Sequence, residues 1–587
     1  MYTLGINAAF HDSSACILKD GMLLAAAEEE RFTHIKHGKR PLPFSTWELP
    51  FHAIDYCLKT AGIHLCEVDH IAYSFDPSLA MNQHSDRNKN SSNSAQNIEN
   101  AVYADWDDLF LSYIKAAPSQ LVDGYPHHLQ QRFVGSAVSD FHWHFVPHHL
   151  SHAASAFLCS PYEDAAILTV DGRGERTTTS YYAGSGTDMT SLANVDMPHS
   201  LGMLYEKMTT YLGFLHSSDE YKVMALASYG KPVFVETFRS FIHVLENGQY
   251  TIDDFDPVEA FGPARKRSDP FTQHHFNIAF GLQKVLEETV LQLAEWLHAK
   301  TGLENLCMAG GVALNCVVNA AVRDKGPFKN IWVQPAAGDA GTALGAALYI
   351  DLRERPGSNR SFYMTHPYWG PAYSDEEIEK FLKWTKVPYR RLGNVAAETA
   401  KILADNKVIG WYQGNMEFGP RALGSRSILA SPIDPGMQAV LNEIKDREDF
   451  RPVAPVVLEE DAKDWFKDAS FSPFMLFVYD VMPDKADLIP AVRHVDGTAR
   501  IQTINRRQHK LYYDLIREFK KITGVPVLVN TSFNTRGEPI VCTPRDAIEC
   551  FWTSPFDALV INSFLLEKNI TARHKEQTLS KFENQPA

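Results

Sequence analysis

His142, His144, His148, His149 and His152 fall within eleven residues of one another. Imidazole is the commonest nitrogen ligand of transition metals, and two ligands of one ion must share one side of the element that carries them. An isolated HxxxH pair means little, because 24 histidines in a chain of this length give about one such pair by chance. Five in eleven exceed that. On a helix, His148 and His152 stand at i and i+4 on one face. A polar helix edge with a capping or core histidine satisfies the same pattern. The Asp171 turn shifts the balance. Asp171 follows an apolar strand predicted over 165–170 and is thereby delivered to a cleft, and Asp339, in a loop of small residues, is open as another metal carboxylate.

Two glycine loops offer backbone amides to an anion. Gly310 and Gly311, with Asn315 just beyond, sit where a strand predicted over 306–309 turns into a helix; the second loop carries Gly338, Asp339, Gly341 and Gly345. Amides at such turns approach a phosphate or nucleotide closely, and the helix N-terminus adds to the attraction. A tight turn that only needs small residues would look the same. A third constellation is basic. Arg421 lies in the run that starts at Gly419, Lys445, Arg447 and Arg451 follow, and Arg500, Asn530 and Ser532 come farther on. Guanidinium forks with amide and hydroxyl groups suit a small phosphate-bearing dianion. Solvated charges paired with Glu448 and Asp449 are the alternative. The whole chain makes a local pocket necessary for any anionic substrate. Its 56 basic against 71 acidic side chains leave −15, which argues against a nucleic-acid partner.

Folded elements must hold these residues, and the composition can build them. At 45% hydrophobic and 22% charged the chain is globular, and 587 residues exceed a single core. A short strand over 2–7 leads into a small-residue turn containing His11, then into a hairpin across Lys19-Asp20-Gly21. The arrangement recurs at 164–182: a buried strand, a polar turn at 171–175, and a Thr-rich second strand. Two such openings predict a duplicated α/β unit with a ligand cleft between its halves. Apolar spacing over 276–298 predicts a long helix ending at Thr301-Gly302. Ser374 and Glu377 have capping-box spacing. The stretch 355–371 is therefore read as the boundary between an N-terminal unit (1–360) and a second α/β unit (372–570), with a polar tail over 571–587. Residues 82–100, rich in Asn, Ser and Gln, read as a mobile loop or lid. Eight cysteines without a CxxC pair form neither a disulfide framework nor a thiolate zinc site. No run of 18 apolar residues and no signal peptide is present, so a cytoplasmic protein with no membrane partner is expected. The P-loop, HExxH and GxSxG signatures are absent.

In combination these motifs resemble the O-carbamoyltransferases of nodulation-factor and antibiotic biosynthesis. The resemblance covers nearly the whole chain. It runs through Ala27-Glu28-Glu29-Glu30-Arg31-Phe32 with Lys36-His37, the stretch 148–157, and Asp171-Gly172-Arg173-Gly174-Glu175. It continues in Glu220-Tyr221-Lys222-Val223-Met224, both glycine loops, the Gly419 run, Lys445-Asp446-Arg447-Glu448 with Arg451-Pro452, and 530–534. It implies an α/β protein with an N-terminal duplicated actin-like ATPase-type domain and a C-terminal YrdC-like domain. The C-terminal domain would convert carbamoyl phosphate and ATP, with Mg, to carbamoyl adenylate. The N-terminal domain would pass the carbamoyl group to a hydroxyl of a small-molecule acceptor. Carried over residue by residue, His148, His152, Asp171 and Asp339 match iron ligands, and His11 matches a catalytic histidine beside the acceptor. Arg421, Lys445, Arg451, Arg500, Asn530 and Ser532 match residues around carbamoyl phosphate, with the nucleotide assigned to Gly310, Gly311, Asn315 and Gly338. Ser228 and Ser425 stand where the family commonly has Pro and Asn. Residues 81–138 do not match closely, which makes them the expected seat of acceptor specificity. An actin-like small-molecule kinase and a non-enzymic nucleotide-binding scaffold are the competing expectations, and a homodimer stays open.

Overall fold

Strand β1 (Tyr2–Asn7) buries every residue after the first, as a strand covered on both faces must. It pairs antiparallel with β2 (Ser14–Lys19), which turns back into β3 (Met22–Glu28). Asp20 and Gly21 make that turn, both at positive φ, the two-residue connection that matches strand twist. On its other side β1 pairs parallel with β4 (His70–Tyr73), and β4 with β5 (His142–Phe145), so the sheet order is β3-β2-β1-β4-β5. The computed structural model describes residues 1–38, 49–80, 108–123, 132–133, 135–469, 471–535 and 537–568. The lid expected over 82–100 and the tail over 571–587 lie outside them.

The second half repeats the plan. β6 (Asp164–Val170), β7 (Thr177–Ser185) and β8 (Asp188–Asp196) form the antiparallel start. A two-stranded ribbon, β9 (Ile242–Val244) and β10 (Tyr250–Ile252), intervenes. β11 (Asn305–Ala309) and β12 (Asn330–Val333) then join in parallel, giving β12-β11-β6-β7-β8. Read outward from the first strand of each, the two sheets have the same order. The duplication predicted from the two hairpin openings is present. The predicted long helix spans Gln273–Thr301 and stops at Gly302, which takes the left-handed conformation.

Helices His148–Phe157 and Ala340–Glu354 each follow the last strand of their own sheet and pack against one another. Where they cross, a Cβ on Gly345 would lie 1.9 Å from Ser151 O, so no larger residue permits the approach. Their ends thereby meet between the two halves, which is where the site forms.

Beyond the expected capping box of Ser374 and Glu377 on helix Asp375–Thr385, the chain builds another α/β layer. Its strands are β13 (Arg390–Arg391), β14 (Ile409–Tyr412), β15 (Arg426–Ala430), β16 (Ala454–Leu458) and, after the ribbon of β17 (Val478–Asp480) and β18 (Thr498–Arg500), β19 (Gln502–Ile504), β20 (Val527–Ser532), β21 (Ala558–Ile561) and β22 (Phe564–Glu567). The mixed sheet runs β13-β22-β21-β14-β15-β20-β16-β19. Helix Lys510–Thr523 buries Tyr512, Leu515, Ile516 and Phe519 on one face in the core of this unit. The loop before β15 reaches across to the N-terminal sheets. Gly419 N donates to Glu28 Oε1 (2.8 Å), and Arg31, buried beside Glu28, donates to Gly419 O (2.9 Å). Glu417 Oε1 accepts from the amides of Leu423, Ser425 and Arg426 and fixes the loop's curl.

Candidate functional site

Four side chains from separate parts of the chain converge between the duplicated sheets. His148 and His152 come from one helix face, Asp171 follows β6, and Asp339 precedes helix Ala340–Glu354; all are buried. His148 Nε2 lies 3.1 Å from His152 Nε2 and 3.6 Å from both Asp171 Oδ2 and Asp339 Oδ1. His152 Nε2 is 3.8 and 3.6 Å from the same oxygens. His148 Nδ1 donates to Ser74 O (3.2 Å), which leaves Nε2 as a lone pair. The cluster therefore gathers acceptors around a centre that only positive charge can stabilise. Edges of 3.1–3.8 Å fit the polyhedron around an ion with bonds of about 2.0–2.2 Å. The donor set fits a divalent transition metal. Electrostatics agree: burial opposes charge on His148, yet Asp339 and Asp171 raise its pKa well above the ordinary value. Both carboxylates are held below the usual range despite burial, Asp171 by His148 and Asp339 by His11 and His148.

Glu175 sets this geometry from the opposite half. Its carboxylate accepts from His148 N (2.9 and 3.2 Å) and Asp76 N (2.7 Å), supplying the helix cap that Pro147 has no side chain to provide. His149 turns away: its Nδ1 meets Thr169 Oγ1 at 2.8 Å, and burial lowers its pKa to about 3. His142 and His144 belong to β5 instead. The run of five histidines thus splits three ways.

Beside this cluster, Asp12 bridges two imidazoles. Its Oδ2 lies 3.1 Å from His11 Nδ1 and its Oδ1 2.8 Å from His37 Nδ1. Burial lowers the His11 pKa, but Asp339 and then Asp12 outweigh it and raise it to about 10. His37 Nε2 continues to Ser218 Oγ (3.0 Å), which also receives Lys36 Nζ (3.2 Å).

Lys36 leads to the basic chamber. Its ammonium lies 5.9 Å from the Tyr221 ring, and Arg451 stacks on that ring at 4.7 Å. Arg421, Arg447, Arg451, Arg500 and Lys445 crowd together here. Burial, reinforced by neighbouring guanidiniums, pulls Arg421, Arg447 and Lys445 below their ordinary pKa values. Arg421 Nε, Arg447 Nη2 and Arg500 Nε are buried without a hydrogen-bond partner. Glu448 faces the cluster but is shared between Arg451 (3.7 Å) and Lys222 (3.0 Å). Arg421 also donates to Leu314 O (3.4 Å), so the chamber abuts the first glycine loop. Residues 2–348 match the family described as carbamoyltransferase N-terminus, and 400–568 that described as carbamoyltransferase C-terminus.

The chain belongs to the carbamoyltransferase family. It is 40% identical to nodulation protein NolNO of Sinorhizobium fredii over 96% of this chain and 80% of that one. It is 41% identical to nodulation protein NolO of Bradyrhizobium diazoefficiens over 72% and 78%. A Synechocystis protein is 40% identical across 98% of both chains. Among solved structures, component A of (R)-2-hydroxyglutaryl-CoA dehydratase from Acidaminococcus fermentans shares 15% identity over 60% of this chain and 97% of its own, at a TM-score of 0.33.

The remaining residues singled out in this carbamoyltransferase do more varied work than their types suggest. Gly310, at φ 93, has no room for a Cβ against Val170 O, and the amide of Gly311 donates to Asp171 Oδ1 at 2.6 Å. That loop positions a carboxylate of the acceptor cluster. Gly338 faces Asp12, its nearest neighbours being Leu314 and Asp12 Oδ2. Asn315 caps helix Cys316–Lys325 through Oδ1 and donates from Nδ2 to Gln283 (2.8 Å), so both its polar ends are engaged within the chain. In the chamber, Lys445 Nζ donates to Ser532 O (2.5 Å), Ser532 Oγ (3.2 Å), Asn534 O (2.9 Å) and Asn534 Oδ1 (2.6 Å). Asn530 Nδ2 donates to Gln502 (2.8 Å) and Ala422 O (3.1 Å) while its Oδ1 is unpartnered. Arg426 faces away from the chamber and is fully buried, its guanidinium donating to the carbonyls of Gln413, Gly414, Ser425 and Pro371. Sequence reasoning gave no role to Asp12, His37, Glu175, Tyr221 or Lys222. Each lies in or beside a recognised motif, but its partners come from distant segments. No helix among the described residues is long and apolar enough to cross a membrane.

Proposed function

We propose that this carbamoyltransferase is ATP-dependent. It converts carbamoyl phosphate, ATP and water to carbamoyl adenylate, phosphate and pyrophosphate in its C-terminal unit (372–570). The N-terminal unit (1–360) transfers the carbamoyl group to a hydroxyl of a natural-product or sugar acceptor. The observation that carries this reading is the contact between chambers of opposite character. Buried, unpartnered guanidinium nitrogens gather on one side, four buried acceptors gather on the other, and Arg421 links the first to the loop that positions the second.

Arg421, Arg447, Arg451 and Arg500 would bind the anionic oxygens of carbamoyl phosphate by charge-assisted hydrogen bonds. Lys445 orders the Ser532–Asn534 turn at the edge of that pocket. A metal, Fe(II) by preference with Mn(II) or Zn(II) open, would be held by His148, His152, Asp171 and Asp339, and would act as a Lewis acid on the carbamoyl carbonyl and hold the nucleotide phosphates. Asp12 holds His11 by Nδ1, so Nε2 is the atom free to take the proton of the attacking hydroxyl. Asp339 gives the strongest upward pull on His11, so neutralising that carboxylate converts His11 from a charged donor to a base.

The test is incubation with ATP, carbamoyl phosphate and a panel of polyols, read by mass spectrometry and nucleotide analysis. Carbamoylated acceptor with AMP and pyrophosphate is the expected result. Phosphorylated acceptor with ADP would overturn the reading. His11→Ala should retain carbamoyl-phosphate-dependent exchange of pyrophosphate into ATP and lose transfer by roughly 10²–10⁴-fold.

A further inference from the structure

The histidines that the acceptor cluster leaves unused gather elsewhere. Parallel pairing sets His70 of β4 beside His142 of β5 and Ala72 beside His144. Side chains alternate along a strand, so His142 and His144 share the sheet face that His70 occupies. His70 Nδ1 lies 3.0 Å from His144 Nε2. The His70 ring lies 5.4 Å from that of His142 and 5.3 Å from that of His144. Helix Ala340–Glu354 brings Glu354 to the same place, and one ligand atom from each of His70, His144 and Glu354 lies within 4.8 Å of the others. The cluster lines an open groove of about 560 Å³, with Asp69 and Asp140 on its rim.

We propose that His70, His144 and Glu354 form a second metal site for a borderline divalent cation such as Zn(II), Ni(II) or Cu(II), with water completing its coordination. A hydrogen bond between two rings accounts for His70 and His144 alone. It leaves the carboxylate brought to the same pair without a reason, and two imidazoles with one carboxylate are a ligand set these cations favour. The separation of the His70 and His144 nitrogens matches that of the two Nε2 atoms in the acceptor cluster, 3.0 against 3.1 Å. The two sites are distinct. Asp339 precedes and Glu354 ends the same helix, and its 1.5 Å rise per residue separates them by about 22 Å.

The placement also gives the site a job. β5 is an edge strand and leads, two residues later, into the helix bearing His148. The other ligand-bearing helix starts just after Asp339. A cation bound here would tie together the far ends of two elements whose near ends build the acceptor cluster.

The full-length chain, stripped with a chelator and dialysed, is titrated with Zn(II) by calorimetry. Unchanged chain should bind one more equivalent than His144→Gln. In Cu(II)-loaded protein, His144→Gln should also remove a nitrogen-coordinated electron paramagnetic resonance signal that His148→Ala retains. His144 is partly exposed, so its substitution leaves the core intact; Glu354→Gln, at the helix end, is the independent check. Equal stoichiometry and affinity in His144→Gln and Glu354→Gln would overturn the site.

Discussion

The acceptor cluster and the basic chamber are built on opposite principles. Around His148 and Asp339 two imidazole lone pairs and two carboxylates converge; around Arg447 and Arg500 cations and unpartnered N–H groups converge. The cluster's carboxylates draw positive charge onto His148, whereas the chamber's cations repel one another until an anion arrives. They also differ in how their groups are held. The first is held on regular elements, with His148 oriented by Ser74 and capped by Glu175. The second sits on loops and strand ends, where Arg451 leans on Tyr221 and on Glu448, which it shares with Lys222, while Arg447 donates to Asn442 Oδ1 and Arg421 to Leu314 O. A metal site needs fixed geometry, whereas an anion pocket needs only surplus donors within reach of several oxygens.

The largest expected effect comes from breaking the acceptor cluster. His148→Ala should remove one equivalent of bound metal, measured by elemental analysis, and lower carbamoyl transfer by about 10³-fold or more. Its far-UV circular dichroism should be unchanged, and binding of carbamoyl phosphate should persist. Loss of that binding would show the two regions to be one site.

An acid titration separates the stabilities of the two regions. Burial lowers the pKa of His509 to about 4, and its ring packs 5.1 Å from Tyr368, whose hydroxyl donates to Leu423 O in the basic loop. The folded state keeps this imidazole neutral while the unfolded chain takes up a proton below its ordinary pKa of 6.5. Stability is therefore full above pH 6.5 and falls toward pH 4, by on the order of 3 kcal/mol from this residue. The difference in unfolding free energy between wild type and His509→Asn should change by that amount across the interval. A pH-independent difference would show that the ring is not kept neutral.

Arg451→Ala should raise the KM for carbamoyl phosphate roughly 10- to 100-fold, the value of a hydrogen bond to a charged group, and leave metal content unchanged. Metal loss would contradict the separation of the two regions. The smallest effect carries the opposite sign. Arg447→Gln removes one cation from a crowded set in which Arg447 Nε donates to the neutral Asn442 Oδ1 (2.6 Å), so the ligand-free chain should gain about 0.5–1 kcal/mol and a higher thermal midpoint while binding the anion less well. A lower midpoint would show Arg447 to be a structural ion-pair partner and not a strained binding group.

Much of the fold could be read in the sequence because it follows local rules. The Asp20-Gly21 turn, the Thr301-Gly302 stop and the Ser374/Glu377 capping box all appear where spacing places them. The duplication showed in two hairpin openings because identical topology needs similar local beginnings. The i,i+4 spacing gave His148 and His152 a shared face, but five clustered histidines overstated their unity. Helix and strand send neighbouring residues in different directions, so His149 enters the core and His142 and His144 leave for the far end of the sheet. The glycine loop could be seen as a turn, while the use of its amide to hold Asp171 could not.

By itself, then, the sequence determined the periodicities, turns and caps, and hence the elements and the residue types each presents, because these depend on backbone sterics and on neighbours a few positions apart. Tertiary structure alone decided which groups meet. Asp339 reaches His148 across two halves of a duplicated unit, Glu175 caps a helix of the opposite half, and Arg421 of the C-terminal region touches Leu314 of the N-terminal one. Such pairings span tens to hundreds of residues, and their strength comes from burial and distance, quantities that a linear order of side chains does not contain.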